Sequence, residues 1–402
     1  MGSRKGAART LIIVEILALI AILVFVVLQK GKIIKEDNTK KIGDENTQSV
    51  ISENEINVQS EKSTEEPETQ IEVEEVVFSD EVMQKLSSMT LEEKVAQMFI
   101  ISPEMLTNTD VVNVAGNLTA NAINTYPVGG LVYSAQNFVD KGQTKNLLSK
   151  TQQYSLERIG VPMFLAVEEV GGKEYSPLAT KNKYKVQSEI TTIKDVETAK
   201  ATATNISEYL IESGITMNIV PFGSVAFSSD IATTSVLSAE SIATYREKGI
   251  TTAVGVFPGA VQAKDLVSWK ETDELVFKSV INAGCDSMVV GNVLYKELTQ
   301  DDTTICSMSK NVIQYIREDM GFEGVLITDS LSEEVVTLNY SSKEAAIAAI
   351  QAGMNMLYCP QNFAEAYQGV IDAVNNNEIT TETIDESVGR ILTQKMSETT
   401  QE

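Results

Sequence analysis

Six times along this chain a helix-like stretch ends in a glycine that leads straight into a short apolar run, at Gly160, Gly214, Gly249, Gly284, Gly321 and Gly353. A glycine just past a helix end takes the left-handed conformation that stops the helix and turns the backbone toward a sheet. Repeated six times, that joint points to a parallel α/β fold. The apolar runs number eight, at residues 95–101, 130–134, 163–168, 216–220, 252–257, 287–293, 325–328 and 354–359. None alternates cleanly between apolar and polar, as expected of strands covered on both faces. Eight strands favour a closed (β/α)8 TIM-type barrel over residues 78–396, with a doubly wound open sheet as the alternative. Residues 397–402 form a short tail.

Ahead of this body, residues 11–28 are apolar except for Glu15. That is about the shortest length that spans a bilayer as a helix. No small-residue cleavage site follows, so an uncleaved transmembrane signal anchor is expected at 10–29, with 1–9 as a cytoplasmic stub. Arg4, Lys5 and Arg9 on one side nearly balance Lys30, Lys32 and Lys35 on the other. Flanking charge therefore does not decide the orientation. The short stub and long body favour a single-pass cell-membrane protein with its folded domain extracytoplasmic. Glu15 lies near one end of the run, within reach of headgroups, and a contact with a partner helix is its alternative role.

Residues 30–77 lack any aromatic side chain, and from Glu36 to Glu75 thirteen acids face three lysines. Such a stretch buries too little apolar surface to offset the entropy of ordering. It is expected to be a disordered acidic linker that holds the body off the bilayer, with an interaction tail as the alternative. The overall charge of −24 argues against nucleic acid, whose phosphates require a basic face. No histidine occurs, which removes the usual zinc ligand and the commonest general acid/base. Cys285, Cys306 and Cys359 are widely spaced and read as buried free thiols. Neither a metal nor a cofactor is expected.

Barrel enzymes carry their chemistry on the loops after the strands. The third run ends Val167-Glu168-Glu169-Val170-Gly171-Gly172, which puts at least one carboxylate at the barrel mouth. The fifth ends Val256-Phe257-Pro258-Gly259 and continues through Lys264, Asp265 and Trp269. The seventh ends Ile327-Thr328-Asp329-Ser330. Taken alone, Asp329 could be no more than a helix cap.

Together these segments resemble glycoside hydrolase family 3. The resemblance runs through Met89-Thr90-Leu91-Glu92-Glu93-Lys94-Val95-Ala96-Gln97-Met98, then Pro127-Val128-Gly129-Gly130-Leu131-Val132. It continues through residues 160–173 and 214–221 and reaches residues 320–332, around Thr328-Asp329-Ser330-Leu331-Ser332. The single-barrel length is similar to that of the bacterial β-N-acetylhexosaminidase branch. What the resemblance implies is a retaining mechanism in which an aspartate, here Asp329, attacks the anomeric carbon. It also implies a histidine acid/base in a Lys-His-Phe-Pro-Gly-His-Gly stretch and the Asp-x-His-type dyad after it. This chain has Gly255-Val256-Phe257-Pro258-Gly259-Ala260-Val261 there. The family's sugar-binding arginine is matched by Thr234, and its substrate-binding aspartate by the longer Glu168.

Asp265, Glu271 and Glu274 are candidate replacement acids. Glu168, Glu169 and Trp269 are candidate substrate contacts, with anchoring of its own loop the alternative for Trp269. A positioned acid/base contributes roughly 10²–10⁴ in rate. The expected protein is therefore a membrane-anchored, degenerate family 3-like barrel with weak or no hydrolysis. It would bind a cell-wall or other N-acetylhexosamine-containing glycan, or an envelope protein partner. One alternative is an active retaining β-N-acetylhexosaminidase that uses Asp329 and a non-histidine acid to hydrolyse O-glycosyl bonds. Another is a structural subunit of an envelope complex.

Overall fold

The computed structural model describes residues 76–173, 176–222, 227–259 and 265–397. The expected stub, anchor and all but the last two residues of the linker lie outside them, as does the tail beyond Ser397. Among the described residues no helix is long and apolar enough to cross a membrane.

Eight parallel strands follow one another around a barrel. They are β1 (Phe99–Ile101), β2 (Gly130–Val132), β3 (Phe164–Val167), β4 (Met217–Val220), β5 (Thr251–Phe257), β6 (Ser287–Val290), β7 (Val325–Thr328) and β8 (Leu357–Tyr358). The hydrogen-bonded order runs 7-6-5-4-3-2-1-8. A parallel bridge between Ile327 and Met356 closes the ring, with Thr328 N donating to Met356 O at 3.0 Å. The open-sheet alternative is thereby excluded. Every residue of β1, β3, β6 and β7 is buried, the signature of strands packed inside and out.

Each expected run coincides with one strand to within a residue or includes it, and the first run is shared with a helix. Residues 95–97 finish a helix, Leu91–Gln97, before β1 begins. Thr90 and Glu93 form a reciprocal capping box that starts this helix, so the apolar run is shared between two elements. All six joint glycines have positive φ, from 65° at Gly160 to 109° at Gly353, as the repeated joint requires.

The foot of the barrel is closed from the far end of the chain. Lys395, on the C-terminal helix Thr381–Ser397, is buried and donates to Gln97 Oε1 at 2.8 Å and Gly129 O at 2.7 Å. Its ammonium also sits 4.8 Å from the centre of the Phe164 ring. Those contacts join the N-terminal ends of β1, β2 and β3, leaving the opposite end for the site.

Candidate functional site

At the C-terminal end of β7, Asp329 is half-buried. Its backbone N–H donates to Val290 O at 2.8 Å, which extends the β6–β7 ladder by one residue. Its Oδ1 accepts from Ser330 N at 2.8 Å. Desolvation raises its carboxyl above the ordinary aspartate value, and the Ser330 bond offsets part of that.

Glu168 ends β3, four strands away around an eight-strand ring and thus on the opposite side of the mouth. Its side chain reaches water, yet the surrounding wall raises its carboxyl, and the charge of Asp329 raises it further. A third carboxylate, Glu333, follows Asp329 on the β7 loop. It too is raised by desolvation and by Asp329, while Asn292 pulls the other way. Asn292, just past β6, donates to Glu333 Oε2 at 2.9 Å and to Ser330 O at 2.8 Å. Its own Oδ1 accepts from Ser307 Oγ at 2.7 Å.

The last strand adds Tyr358, whose hydroxyl is pushed up by burial and then by Cys359, Glu168 and Asp329. Burial, aided by Glu168, pushes the Cys359 thiol up to about 12, so it is protonated at neutral pH and a poor nucleophile. The other two cysteines are buried and free, while Cys359 is half-buried. The mouth therefore gathers three carboxylates, and the charge of Asp329 disfavours ionisation of the other two. Groups of this kind hold protons more readily than isolated acids do.

Glu333, Asn292 and Tyr358 were not singled out in the sequence. Their one visible signal is position, since each stands within a few residues of a strand's C-terminal end.

The remaining predicted site residues do other things. Glu169 is fully buried and points into the wall, a correction to its place among the substrate contacts. Its Oε1 accepts from Leu178 N at 2.5 Å and Ala179 N at 3.3 Å, at the start of helix Pro177–Asn182, and its Oε2 accepts from Tyr209 OH at 2.7 Å. Burial raises its carboxyl to about 7 in spite of these donors. The turn after it needs glycine: Gly171 has φ +99°, and an added Cβ would lie 2.1 Å from Ser188 O.

Trp269 is also fully buried. Its Nε1 donates to Pro258 O at 2.8 Å, and its ring meets Phe257, Tyr295 and Tyr315 at centroid distances of 5.6, 6.2 and 5.8 Å. No face of it is left for a sugar, so it anchors the loop.

Two of the three candidate acids after β5, Asp265 and Glu274, have carboxylates engaged by other groups. Asp265 caps helix Leu266–Lys270, accepting from Ser268 N at 2.8 Å, and its carboxyl is held below the ordinary range by that bond and by the Ser268 hydroxyl. Glu271 closes the same helix as its C-terminal cap and is exposed. Glu274 is buried between helices, where its Oε1 takes Tyr315 OH at 2.5 Å and Lys278 Nζ at 2.9 Å. Residues 260–264 lie outside the described set, but they read Ala-Val-Gln-Ala-Lys and contain no carboxyl group.

The kept corner explains its own glycine. Gly259 has φ +100°, and a Cβ there would meet Asp273 Oδ1 at 2.3 Å. Val256 projects at the exposed position of β5 where the resemblance expects a histidine. Thr234 is buried and spends its hydroxyl on Ser228, donating to the carbonyl at 2.8 Å. Among the described residues no group of three His, Cys, Asp or Glu is arranged to hold a metal ion.

Comparison with known proteins agrees with this fold. The family described as "Glycosyl hydrolase family 3 N terminal domain" matches residues 90–394. A β-hexosaminidase of Photobacterium profundum is 25% identical over 289 residues, which cover 65% of this chain and 83% of the relative. In fold, the chain is similar to a glycoside hydrolase family 3 β-N-acetylglucosaminidase from Paenibacillus sp. str. FPU-7, with TM-score 0.71 and 23% identity. That match covers 78% of this chain and 63% of the other, so the present chain spans less than two thirds of it. The β-N-acetylhexosaminidase from Beutenbergia cavernae DSM 12333 gives TM-score 0.67 at 20% identity, covering 77% and 99%.

Proposed function

The chain belongs to glycosyl hydrolase family 3, and on that premise we propose that its barrel mouth binds an N-acetylhexosamine-containing glycan and hydrolyses it weakly or not at all. In this proposal the apolar run at 10–29 anchors the protein in the cell membrane. The acidic segment 30–77 then presents the barrel on the outer side to cell-wall glycan or an envelope protein partner.

The observation that carries the proposal is the state of the β5 loop. Its acids serve as a helix cap, a helix end and a buried ion-pair member, while the aligned histidine positions hold Val256 and Ala260. In this reading Asp329 keeps a carboxylate below the bound sugar, while the engaged carboxylates of Asp265 and Glu274 do not protonate the leaving oxygen.

An aryl N-acetylglucosaminide with an acidic phenol leaving group separates the two halves of the chemistry, because such a phenolate departs without protonation. The expected result is slow, Asp329-dependent phenol release that disappears in Asp329→Asn. Natural glycosides should bind saturably and react about 10²–10⁴ more slowly than with a positioned acid. Rapid cleavage of natural cell-wall fragments by the purified chain would sink the proposal.

A second reading, an active retaining β-N-acetylhexosaminidase, is favoured by one feature. Glu168 stands across the mouth from Asp329, and both burial and Asp329 bias it toward its protonated form. Were Glu168 the acid, Glu168→Gln would slow cleavage of natural glycosides by about 10²-fold or more and spare the aryl substrate. Equal losses on both substrates would assign Glu168 to binding.

A further inference from the structure

Between the segments that leave β7 and β8 lies a groove of about 570 Å³ walled by residues 337–342 together with Gln361, Asn362 and Glu365. Its volume is in the range of ligand-binding clefts, about 300–1,000 Å³. Helix Glu334–Thr337 leads directly from Glu333 into its wall, so the groove continues the loop that carries Asp329.

We propose that this groove is a second glycan subsite, which takes neutral sugar units flanking the residue held at Asp329. The proposal rests on the glycan-binding reading above and names where the rest of the glycan would lie.

The lining favours a neutral polyol. Leu338 is 74% exposed, and the remaining lining is polar, from Asn339, Tyr340, Ser341, Gln361 and Asn362, with the side chains of Asn339, Ser341 and Asn362 already bonded within the chain. No lysine or arginine lines it. The Tyr340 hydroxyl and the Gln361 amide make no hydrogen bond to the described residues, leaving both for a ligand.

Two helix N-termini, of Ser342–Ala352 and Phe363–Asn375, meet at the groove, a position that would otherwise suit phosphate. Both ends are already occupied. Ser341 N and Oγ donate to Glu344 Oε2 at 2.8 and 2.7 Å, and Asn362 Oδ1 accepts from Glu365 N at 3.2 Å. The carboxylates of Glu344 and Glu365 repel an anion. Exposed Leu338 matches the C–H face of a pyranose, and the Tyr340 hydroxyl and Gln361 amide match its hydroxyls.

The test is calorimetric titration of the full chain with β-1,4-linked N-acetylglucosamine as monomer, dimer and tetramer. The tetramer is expected to bind about tenfold or more tightly than the monomer, the equivalent of one or two added hydrogen bonds. Gln361→Ala and Tyr340→Ala should each weaken the tetramer severalfold and leave the monomer unchanged. Gln361 is exposed, so its variant reports on binding even where loss of half-buried Tyr340 perturbs folding. Monomer binding without length dependence, or tetramer affinity unaltered in Gln361→Ala, overturns the groove alone. Failure of every saccharide to bind overturns the glycan-binding reading together with it.

Discussion

Replacing Trp269 with alanine is expected to destabilise the barrel by about 3–5 kcal/mol, the range for deleting a large buried aromatic. The side chain is sealed from solvent, fills the space under the β5 loop and makes ring contacts with Phe257, Tyr295 and Tyr315. Its removal leaves a cavity and also orphans Pro258 O, the acceptor of the indole N–H. Trp269→Phe keeps much of the packing and should lose far less, about 1 kcal/mol of it from the missing hydrogen bond. Urea unfolding followed by far-ultraviolet circular dichroism measures both, since the substitution removes the only tryptophan. A sugar-stacking role predicts the opposite pattern. The alanine variant would then melt like the parent and lose saccharide affinity.

The second large effect concerns Glu169 and has a defined sign in pH. Its carboxyl lies at about 7 in the folded chain against an ordinary value of 4.5, because burial penalises the charge more than its donors reward it. The folded state thus holds this proton more tightly than the unfolded state does. The stability it contributes is fully present below about pH 4.5 and is lost as pH rises through 7. Over that window the loss amounts to about 3 kcal/mol. Glu169→Gln stays neutral at every pH and retains an acceptor for Leu178 N–H, so its stability profile should lack this component. Glu168 and Asp286 are also raised and titrate in both proteins, which makes the difference between the two profiles the quantity to measure. Parallel profiles from about pH 4.5 to 8 would show that Glu169 is ionised in the fold.

Both cases arise from residues that look alike in one dimension and differ in three. Glu168 and Glu169 are adjacent acids at the end of one strand. Successive side chains of a strand point to opposite sides, so one reaches the mouth and the other is driven into the wall behind it. The wall then has to supply the first amides of helix Pro177–Asn182, nine and ten residues on, and Tyr209, forty residues on. Asp265 illustrates the same limit. Asp followed three residues later by Ser is a helix start, and the cap it makes with Ser268 uses the carboxylate that catalysis would have needed.

The barrel itself was legible because its cause is local and repeated. A left-handed glycine after each of six helices and eight apolar runs without alternation leave few other ways to bury the chain, and Asp329 follows from where the seventh run stops. The loss of imidazole chemistry is likewise a matter of composition, since a chain without histidine cannot place one anywhere. Which carboxylates share a field was not legible. The charge of Asp329 reaches Glu168 and Glu333 because ring closure sets β3 opposite β7 and the β7 loop folds back over Asn292, and no spacing along the chain encodes that. Proton affinity depends on the solvent and charges around a group in space, and those are set by packing after the strands have closed.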